Sequence, residues 1–216
     1  MKILLLGATG RTGKHILAQC LEKGLQVNCL VRDSSKVTPA NGLEIYQGDV
    51  ANKSDLMRAS NGCSQVVSIL NISRKSDFPW SKLRTPPTLL SDTMHQLIEV
   101  VKTNDIQKIT VCSAWGVAES KKDIPVWFRW MIDNSNIGVA YKDHQKQEEI
   151  LKSSGLNYTI VRPVGLTNAK IHNVRESFNN QPKPTMLISR KTVASYFVEC
   201  LMSDSADRKV VTISKA

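Results

Sequence analysis

Short apolar runs alternate with amphipathic segments along nearly the whole chain, and this alternation is the main evidence for the fold. Seven runs have the length of buried strands: Ile3–Leu6, Val27–Val31, Glu44–Tyr46, Val66–Leu70, Ile109–Cys112, Tyr158–Val161 and Val210–Ile213. Five segments between them have helical character: Lys14–Lys23, Ser54–Ala59, Leu89–Lys102, Lys142–Lys152 and Lys191–Met202. This order predicts a doubly wound α/β domain, in which helices cover both faces of a mostly parallel sheet.

Two stretches interrupt the alternation. The first insertion, Asn71–Pro87, contains three prolines, and the second insertion, Trp115–Gly138, contains half of the chain's eight Trp and Phe residues. Both follow predicted strand ends on the side of the sheet that binds ligands. The aromatic side chains either hold a lid on the core or form a flat pocket for a substrate. We expect a single domain over residues 1–216, with lid or substrate elements from 71–87, 115–138 and 165–190.

Three glycines follow the first strand, at Gly7, Gly10 and Gly13, and a helical pattern begins directly after them. A strand that turns through glycines into a helix presents unpaired N–H groups and the positive end of the helix dipole, which together bind phosphate. The spacing is G-x-x-G-x-x-G, which differs from the commonest dinucleotide fingerprint, G-x-G-x-x-G. Its position between a buried strand and a helix predicts a dinucleotide site.

The end of the second strand indicates which dinucleotide binds. Arg32 lies 19 residues after Gly13, where an acidic residue normally binds the adenine-ribose hydroxyl and an arginine accommodates a 2′-phosphate. Arg11 in the glycine loop could join Arg32 in binding that phosphate, with Ser35 nearby. Asp33 could instead face the ribose if the strand ends later. We expect NADP (NADPH), and NAD is the less favoured alternative.

The ends of the later strands supply the rest of the predicted site. Asp49 and the Val50 backbone could bond the adenine amino group, although Asp49 could instead be a helix N-cap or a turn residue. A hydroxyl at Ser113, where the fifth strand ends, could orient a carbonyl or donate to a developing oxyanion, or it could simply close the strand. The predicted cofactor-binding residues are Gly7, Thr9, Gly10, Arg11, Thr12, Gly13, Arg32, Ser35, Asp49, Val50, Leu70, Asn71, Ser113 and Pro163.

Composition narrows the class of partner only slightly. The net charge is +10, but the basic residues are scattered and no nucleic-acid motif accompanies them, so we expect no specific nucleic-acid partner. No apolar stretch approaches the roughly 20 residues that cross a bilayer, so we expect no membrane partner. Five cysteines without a C-x-x-C pair are typical of a reduced, cytoplasmic protein without a metal site. We expect a monomer or a weak dimer.

These residues together resemble the NmrA-like group of atypical short-chain dehydrogenase/reductases. The resemblance runs nearly from end to end and rests on GATGRTG, LVRDSSK, the GDV at 48–50, the strand end at Ser113, the DHQKQEEILKSSGLNYTIVRP stretch at 143–163 and ISRKTVA at 188–194. Thr192 stands where the group usually has Asp. The combination points to the branch that includes biliverdin-IXβ reductase, a flavin reductase. The resemblance implies a Rossmann fold that binds NADPH.

One feature of that superfamily is missing. Most members use Tyr-x-x-x-Lys, in which the tyrosine donates a proton and the lysine lowers its pKa. Here Tyr141 is followed four residues on by Gln145, and the motif positions correspond to Ala140 and His144. The resemblance implies that His144 contacts the nicotinamide ribose, but it could equally be a histidine on the helix surface. We therefore name Ser113 and His144 as the candidate catalytic residues.

Three functions from different classes follow. The first is an NADPH-dependent reductase of a planar acceptor such as a flavin, a biliverdin-like compound or a quinone-like ring, because hydride transfer to such a ring needs little acid catalysis. The second is a non-catalytic NADP(H) sensor that regulates another protein. The third, an NAD-dependent epimerase or isomerase, is weaker because those enzymes also use Tyr-x-x-x-Lys.

Overall fold

The computed structural model describes residues 1–203 and 208–216 of the chain. Its main sheet has eight strands in the order β3-β2-β1-β4-β5-β6-β10-β8. The strands are Lys2–Leu6 (β1), Gln26–Val31 (β2), Leu43–Gln47 (β3), Gln65–Ser68 (β4), Lys108–Cys112 (β5), Tyr158–Pro163 (β6), Gly165–Thr167 (β7), Val174–Ser177 (β8), Leu187–Ser189 (β9) and Lys209–Lys215 (β10). All neighbours in this sheet are parallel except β10 and β8. The predicted doubly wound, mostly parallel sheet is confirmed.

Six α-helices connect or flank the strands. They are Gly13–Glu22 (α1), Lys53–Ala59 (α2), Leu89–Thr103 (α3), Val126–Asp133 (α4), Ile137–Ser153 (α5) and Arg190–Met202 (α6). Helices α1 and α6 pack together, and so do α3 and α5. Each pair covers one face of the sheet, as right-handed crossovers require.

Alternation within each strand divides the core into two apolar layers. In β1, Ile3 and Leu5 belong to the cluster that includes α6, whereas Leu4 and Leu6 belong to the cluster that includes α3. All four side chains are fully buried. A strand with both faces covered must be apolar at every position, which explains the continuous run in the sequence.

Four parts of the structure were not predicted. Helix α4 lies within the second insertion, and α5 begins at Ile137, five residues before the predicted start at Lys142. The short strands β7 and β9 form a separate two-stranded sheet, and β8 adds an antiparallel edge to the main sheet. These elements are short and lack a sustained apolar period, so their pairing depends on tertiary contacts.

Two further expectations can be compared with the structure. Four of the five cysteines are buried, all five thiols are free, and only Cys112 is partly accessible. No helix in the described part of the chain combines the length and the apolar character that crossing a bilayer requires.

Candidate functional site

The predicted site residues lie along one edge of the sheet, where the parallel strands have their carboxyl ends. Strand β1 lies between β2 and β4, so the chain moves to opposite sides of β1 in successive halves of the fold. Dinucleotides bind at this switch point in doubly wound folds. The residues that follow or end the strands at this edge are Gly7 (β1), Arg32 (β2), Asp49 (β3), Leu70 and Asn71 (β4), Ser113 (β5) and Pro163 (β6).

The three glycines of the loop have different structural roles. Gly7 has φ +91°, and a Cβ atom there would lie 3.1 Å from the backbone of Ile69. A Cβ atom at Gly13 would lie 2.0 Å from the carbonyl oxygen of Gly7, so only glycine lets α1 start this close to β1. Gly10 is exposed, and a Cβ atom there would meet only the Gly7 oxygen, at 3.2 Å. The outer side of Gly10 is therefore open to a closely approaching ligand.

The start of α1 has the properties of an anion site. The backbone N–H groups of Arg11 and Thr12 have no acceptor within the described residues. Thr12 makes no side-chain capping bond, and no acidic residue lies in the first turn of the helix. No acidic side chain of α1 itself therefore offsets the positive end of the helix dipole, and the loop fits a pyrophosphate.

The turn after β2 separates the roles of Arg32 and Asp33. The carboxylate of Asp33 accepts hydrogen bonds from the N–H of Ser35 at 3.1 Å and its Oγ at 2.6 Å, and pairs with Lys36 at 3.1 Å. The Ser35 bonds and Lys36 hold the pKa of Asp33 below its usual value. The Arg32 side chain is exposed and makes no hydrogen bond or ion pair with any residue in the described ranges. Asp33 therefore stabilises the turn, and Arg32 is the group that remains open to a ligand.

Arg11 has a different partner from the one the sequence suggested. Its Nη1 and Nη2 atoms donate to Oδ2 and Oδ1 of Asp77, each at 2.9 Å. The sequence suggested that Arg11 and Arg32 bind one phosphate together. In the structure, the Arg11 guanidinium instead pairs with Asp77 of the first insertion. Arg11 lowers the pKa of Asp77, and the charges of Arg190 and Arg74 act in the same direction.

Asp49 closes a turn. Its Oδ1 accepts a hydrogen bond from the N–H of Ala51 at 2.9 Å. The N-cap of α2 is Asn52, whose Oδ1 accepts from Ser54 and Asp55. The N-cap of α2 is therefore not Asp49, and the Asp49 carboxylate makes a turn bond that leaves its second oxygen without a partner among the described residues. The Asp49 side chain stays exposed beside Val50 at the sheet edge, so its contact with adenine remains a prediction.

Ser113 belongs to a buried ionic network. Its Oγ donates to Oε1 of Glu148 at 2.7 Å. Arg162 donates to both oxygens of the same carboxylate, from Nε at 2.8 Å and Nη2 at 2.5 Å, and also bonds Glu119. Ser113, Glu148 and Arg162 are all at most 4% exposed. Because its hydrogen faces Glu148, the Ser113 hydroxyl offers a ligand only its lone pairs in this arrangement.

The network keeps Glu148 ionised. Burial alone would raise the pKa of Glu148, but the bonds and charge of Arg162, with smaller contributions from Ser113 and Lys152, hold it below its usual value. Sequence reasoning missed Glu148 and Arg162. The available signal was an arginine inside the apolar strand Tyr158–Pro163, since a buried guanidinium requires a carboxylate partner.

His144 and Ala140 are buried one turn apart on the inner face of α5. On the next turn, Gln147 donates to the Cys112 carbonyl at 3.1 Å, which fixes this face of α5 against the carboxyl end of β5. Burial lowers the pKa of His144 to about 4, although the charge of Glu148 acts in the opposite direction. The alternative of a surface histidine is therefore wrong. Its ring is neutral near pH 7, and Nδ1 has no hydrogen-bond partner in residues 1–203 and 208–216.

Tyr141 does not replace the missing tyrosine. Its hydroxyl donates to the carbonyl of Trp115 at 3.3 Å, and burial raises its pKa. The ring packs edge-on against Phe128. Tyr141 thus holds the second insertion against α5. Ala140 stands where the resemblance puts the proton-donating tyrosine, and its side chain is only a methyl group.

A cavity of about 340 Å³ lies between the second insertion and the segment before β9. Trp115 lines one side of the cavity, and its backbone N–H donates to the Pro163 carbonyl at 3.0 Å. The cavity therefore adjoins the ends of β5 and β6. Its walls include Ile124, Pro125, Pro184 and Met186, together with Arg129 and Lys183. The Nε atom of Arg129 is buried without a hydrogen-bond partner among the described residues. Asp123 also lines the cavity, so its lining is mixed, with apolar walls and charged groups of both signs.

Some of the aromatic side chains hold the two insertions together. The indole N–H of Trp80 donates to the Asn134 carbonyl at 2.7 Å, and its ring contacts Trp130 with centroids 6.4 Å apart. Asn136 donates to the carbonyls of Trp80 and Ser81. These contacts join the two insertions to each other, and the exposed rings of Trp80 and Trp130 neither pack into the core nor line the cavity.

The fold and the glycine loop define a dinucleotide-binding protein of the doubly wound α/β class. The sequence matches the NAD(P)H-binding family over residues 7–204, and the chain belongs to that family. This agrees with the short-chain dehydrogenase/reductase resemblance that the motifs indicated.

Similar sequences come from photosynthetic organisms. An uncharacterised chloroplastic protein of Arabidopsis thaliana is 29% identical over an alignment of 222 positions, which covers 98% of this chain and 76% of that protein. The photosystem II assembly factor Ycf39 of Cyanophora paradoxa is 28% identical over 170 residues, covering 76% of this chain. The match spans only 46% of the length of Ycf39.

Similar solved structures share the fold. A short-chain dehydrogenase/reductase from Veillonella parvula, solved in complex with NADP, has a TM-score of 0.82 and 18% identity, over 99% of this chain and 94% of that one. ChuY, an anaerobilin reductase from Escherichia coli O157:H7, has a TM-score of 0.81 and 18% identity, over 100% and 97% of the two chains.

Proposed function

We propose that the protein is an NADPH-dependent reductase that transfers hydride to a planar acceptor, such as a flavin, a biliverdin-like compound or a quinone-like ring. The observation that carries the proposal is the pair Ala140 and neutral His144, which are buried one turn apart on α5 at the positions where the family resemblance puts the acid pair of a dehydrogenase. An acceptor that needs little proton donation from the protein fits such a site.

The choice of NADPH rests on the turn after β2. Arg32 is unpaired within the described residues while Asp33 is engaged with Ser35 and Lys36, so this turn presents a cation and no free carboxylate. A guanidinium can bind a 2′-phosphate through charge-assisted, bidentate hydrogen bonds. The open side of Gly10 and the N–H groups of Arg11 and Thr12 would bind the pyrophosphate. When bound, NADPH supplies the hydride that the reaction requires.

The protein's own contribution is to position the reactants and to exclude water. The bonds of Glu148 to Ser113 and Arg162 fix the end of β5 against β6. His144, as a neutral ring with an unpartnered Nδ1, can bond a ribose hydroxyl on the inner face of α5. Trp115 and Met186 offer apolar walls to a flat ring, and Arg129 offers a positive charge to an anionic substituent.

The assay is the loss of nicotinamide absorbance when the protein is mixed with NADPH and FMN, riboflavin, biliverdin or simple quinones in turn. We expect turnover with at least one of them, and slower turnover with NADH. Arg129→Gln should raise the KM for an anionic acceptor such as FMN more than the KM for riboflavin. Lys122→Gln, which removes a neighbouring surface cation, is the matched control. Absence of turnover with every acceptor would contradict the proposal.

The second candidate is a non-catalytic NADP(H) sensor that regulates another protein. The observation in its favour is that the Ser113 hydroxyl already donates to Glu148, so the end of β5 offers no free proton. Micromolar binding of NADPH without turnover of any acceptor would favour the sensor. An epimerase or isomerase has less support, because such enzymes also depend on the tyrosine and lysine that are missing here.

A further inference from the structure

The two insertions together form an exposed aromatic surface. We define this surface, the aromatic patch, by its five apolar side chains and their exposed fractions: Phe78 (61%), Trp80 (44%), Val126 (71%), Trp127 (62%) and Trp130 (58%). Phe78 and Trp80 contact each other with ring centroids 5.3 Å apart, and Trp80 contacts Trp130. Val126 and Trp127 lie one turn before Trp130 on α4. The patch is therefore continuous.

The patch is held rigidly although its rings face solvent. The indole N–H of Trp80 and both donors of Asn136 bond backbone carbonyls across the two insertions. On the opposite side of α4, Ile132 is buried and Phe128 packs against Tyr141. The rings of the patch cannot turn inward without breaking these contacts. Five such side chains leave roughly 500 Å² of apolar surface exposed, which is in the range of the largest apolar patch on a typical monomer, and such patches are often functional.

Basic side chains flank the patch. Lys75 and Lys82 face each other in the hairpin that carries Phe78 and Trp80, since the Lys75 N–H donates to the Lys82 carbonyl at 2.9 Å. Lys121 pairs with Asp133 at the end of α4, and Lys122 is next to it. Lys75, Lys82 and Lys122 are exposed and form no ion pair with any described residue. Of the acidic residues nearby, Asp77 is paired with Arg11 and Asp133 with Lys121. Asp123 offsets part of the remaining charge, and the three unpaired lysines leave an excess of positive charge around the patch.

We propose that the aromatic patch docks onto the surface of an anionic lipid membrane. Tryptophan favours the region between headgroups and acyl chains, and lysines beside it attract anionic headgroups by about 1 kcal/mol each. A second copy of the chain fits less well, since its own lysines would face these lysines. This proposal revises the expectation that the protein has no membrane partner.

The test is sedimentation of the full chain with vesicles of two compositions, phosphatidylcholine alone and equal parts phosphatidylcholine and phosphatidylglycerol. We expect at least about tenfold tighter binding to the anionic vesicles at low salt, and a smaller difference as salt is added. The double variant Trp127→Ser/Trp130→Ser should bind them about tenfold or more weakly. Met202→Ser, at an equally exposed apolar position at the end of α6, should bind like the original protein.

The charge contribution needs its own pair of variants. Lys75→Glu/Lys82→Glu should weaken binding to the anionic vesicles, whereas Lys23→Glu/Lys102→Glu, at exposed ends of α1 and α3, should weaken it much less. Unchanged thermal unfolding and NADP⁺ binding would show that the variants are folded. Failure of the original protein to bind anionic vesicles would overturn the proposal. The original protein could also fail to bind vesicles but form a dimer or bind single-stranded RNA. If the Trp127→Ser/Trp130→Ser variant lost that dimer or that RNA binding, the result would overturn the proposal in favour of that partner.

Discussion

The guanidinium of Arg11 forms two parallel hydrogen bonds, each 2.9 Å long, with the carboxylate of Asp77. This pair joins the loop that contains the three glycines to the first insertion. The charges of Arg74 and Arg190 also act on Asp77 and lower its pKa. A protein carboxylate therefore neutralises part of the positive charge beside the proposed pyrophosphate site.

Asp77→Asn should strengthen the binding of NADP⁺. Without the carboxylate, Arg11 would be free to interact with a phosphate. Since the pair is exposed, the gain should be only about two- to fivefold in Kd, and larger at low salt. Titration calorimetry at two salt concentrations measures it. Asp133→Asn, which removes a carboxylate of the second insertion, is the control, and weaker binding by Asp77→Asn would show that the pair instead helps to hold the ligand.

Arg32→Glu should change the preference between the two cofactors. It replaces the unpaired cation after β2 by an anion, so the affinity for NADPH should fall by about 10- to 100-fold while that for NADH changes little. Fluorescence titration with each cofactor gives both values. Lys23→Glu makes the same change of charge at the opposite edge of the sheet and should have little effect. Equal losses for NADPH and NADH would refute the assignment of Arg32 to the 2′-phosphate.

Glu148→Gln should destabilise the protein strongly near neutral pH. Removing Glu148 leaves the buried Arg162 with only the exposed Glu119 as an anionic partner, and breaking such a buried pair costs up to about 3–5 kcal/mol of unfolding free energy. The pKa of Glu148 is lower in the native state than in the unfolded chain. Its ionised carboxylate therefore contributes to the free energy of unfolding fully at pH values above the pKa of the unfolded chain, and this contribution is lost as the pH falls through the pKa of the native state.

Urea unfolding of the original protein and of Glu148→Gln at several pH values tests this dependence. The difference between the two should be largest near pH 7 and should shrink at acid pH. The control is Glu149→Gln, at an exposed position bonded only to Gln145, which should change stability little. A loss that stays constant with pH would show that packing and not charge is responsible.

His144→Gln should remove part of the pH dependence of stability between pH 6.5 and about 4. Burial lowers the pKa of His144 to about 4, so in this range the unfolded chain binds a proton that the native state does not. Its contribution to the free energy of unfolding therefore falls as the pH decreases, by up to about 3 kcal/mol.

Thermal unfolding across this pH range provides the measurement. The stability of the original protein should decline more steeply towards acid pH than that of His144→Gln. His95→Gln, at an exposed position on α3, should follow the original protein. Parallel curves for the original protein and His144→Gln would mean that His144 is accessible to protons in the native state.

The sequence by itself determined the alternation of the seven parallel strands of the main sheet with the main helices and the position of the dinucleotide loop. These features are local: Leu4 and Leu5 must be apolar because both faces of β1 are covered, and Gly13 must lack a side chain because the Gly7 carbonyl is beside it. Arg32 could likewise be recognised from its distance along the chain to the glycines.

Only the tertiary structure decided which side chains meet. Asp77 is 66 residues from Arg11, Glu148 is 35 from Ser113, and Asn134 is 54 from Trp80. Hydrophobic periodicity specifies which face of an element is buried, but it does not specify which polar group lies opposite. The ionised Glu148 network, the neutral His144 and the aromatic patch all arise from such contacts, because burial and pairing depend on elements that are distant in the chain.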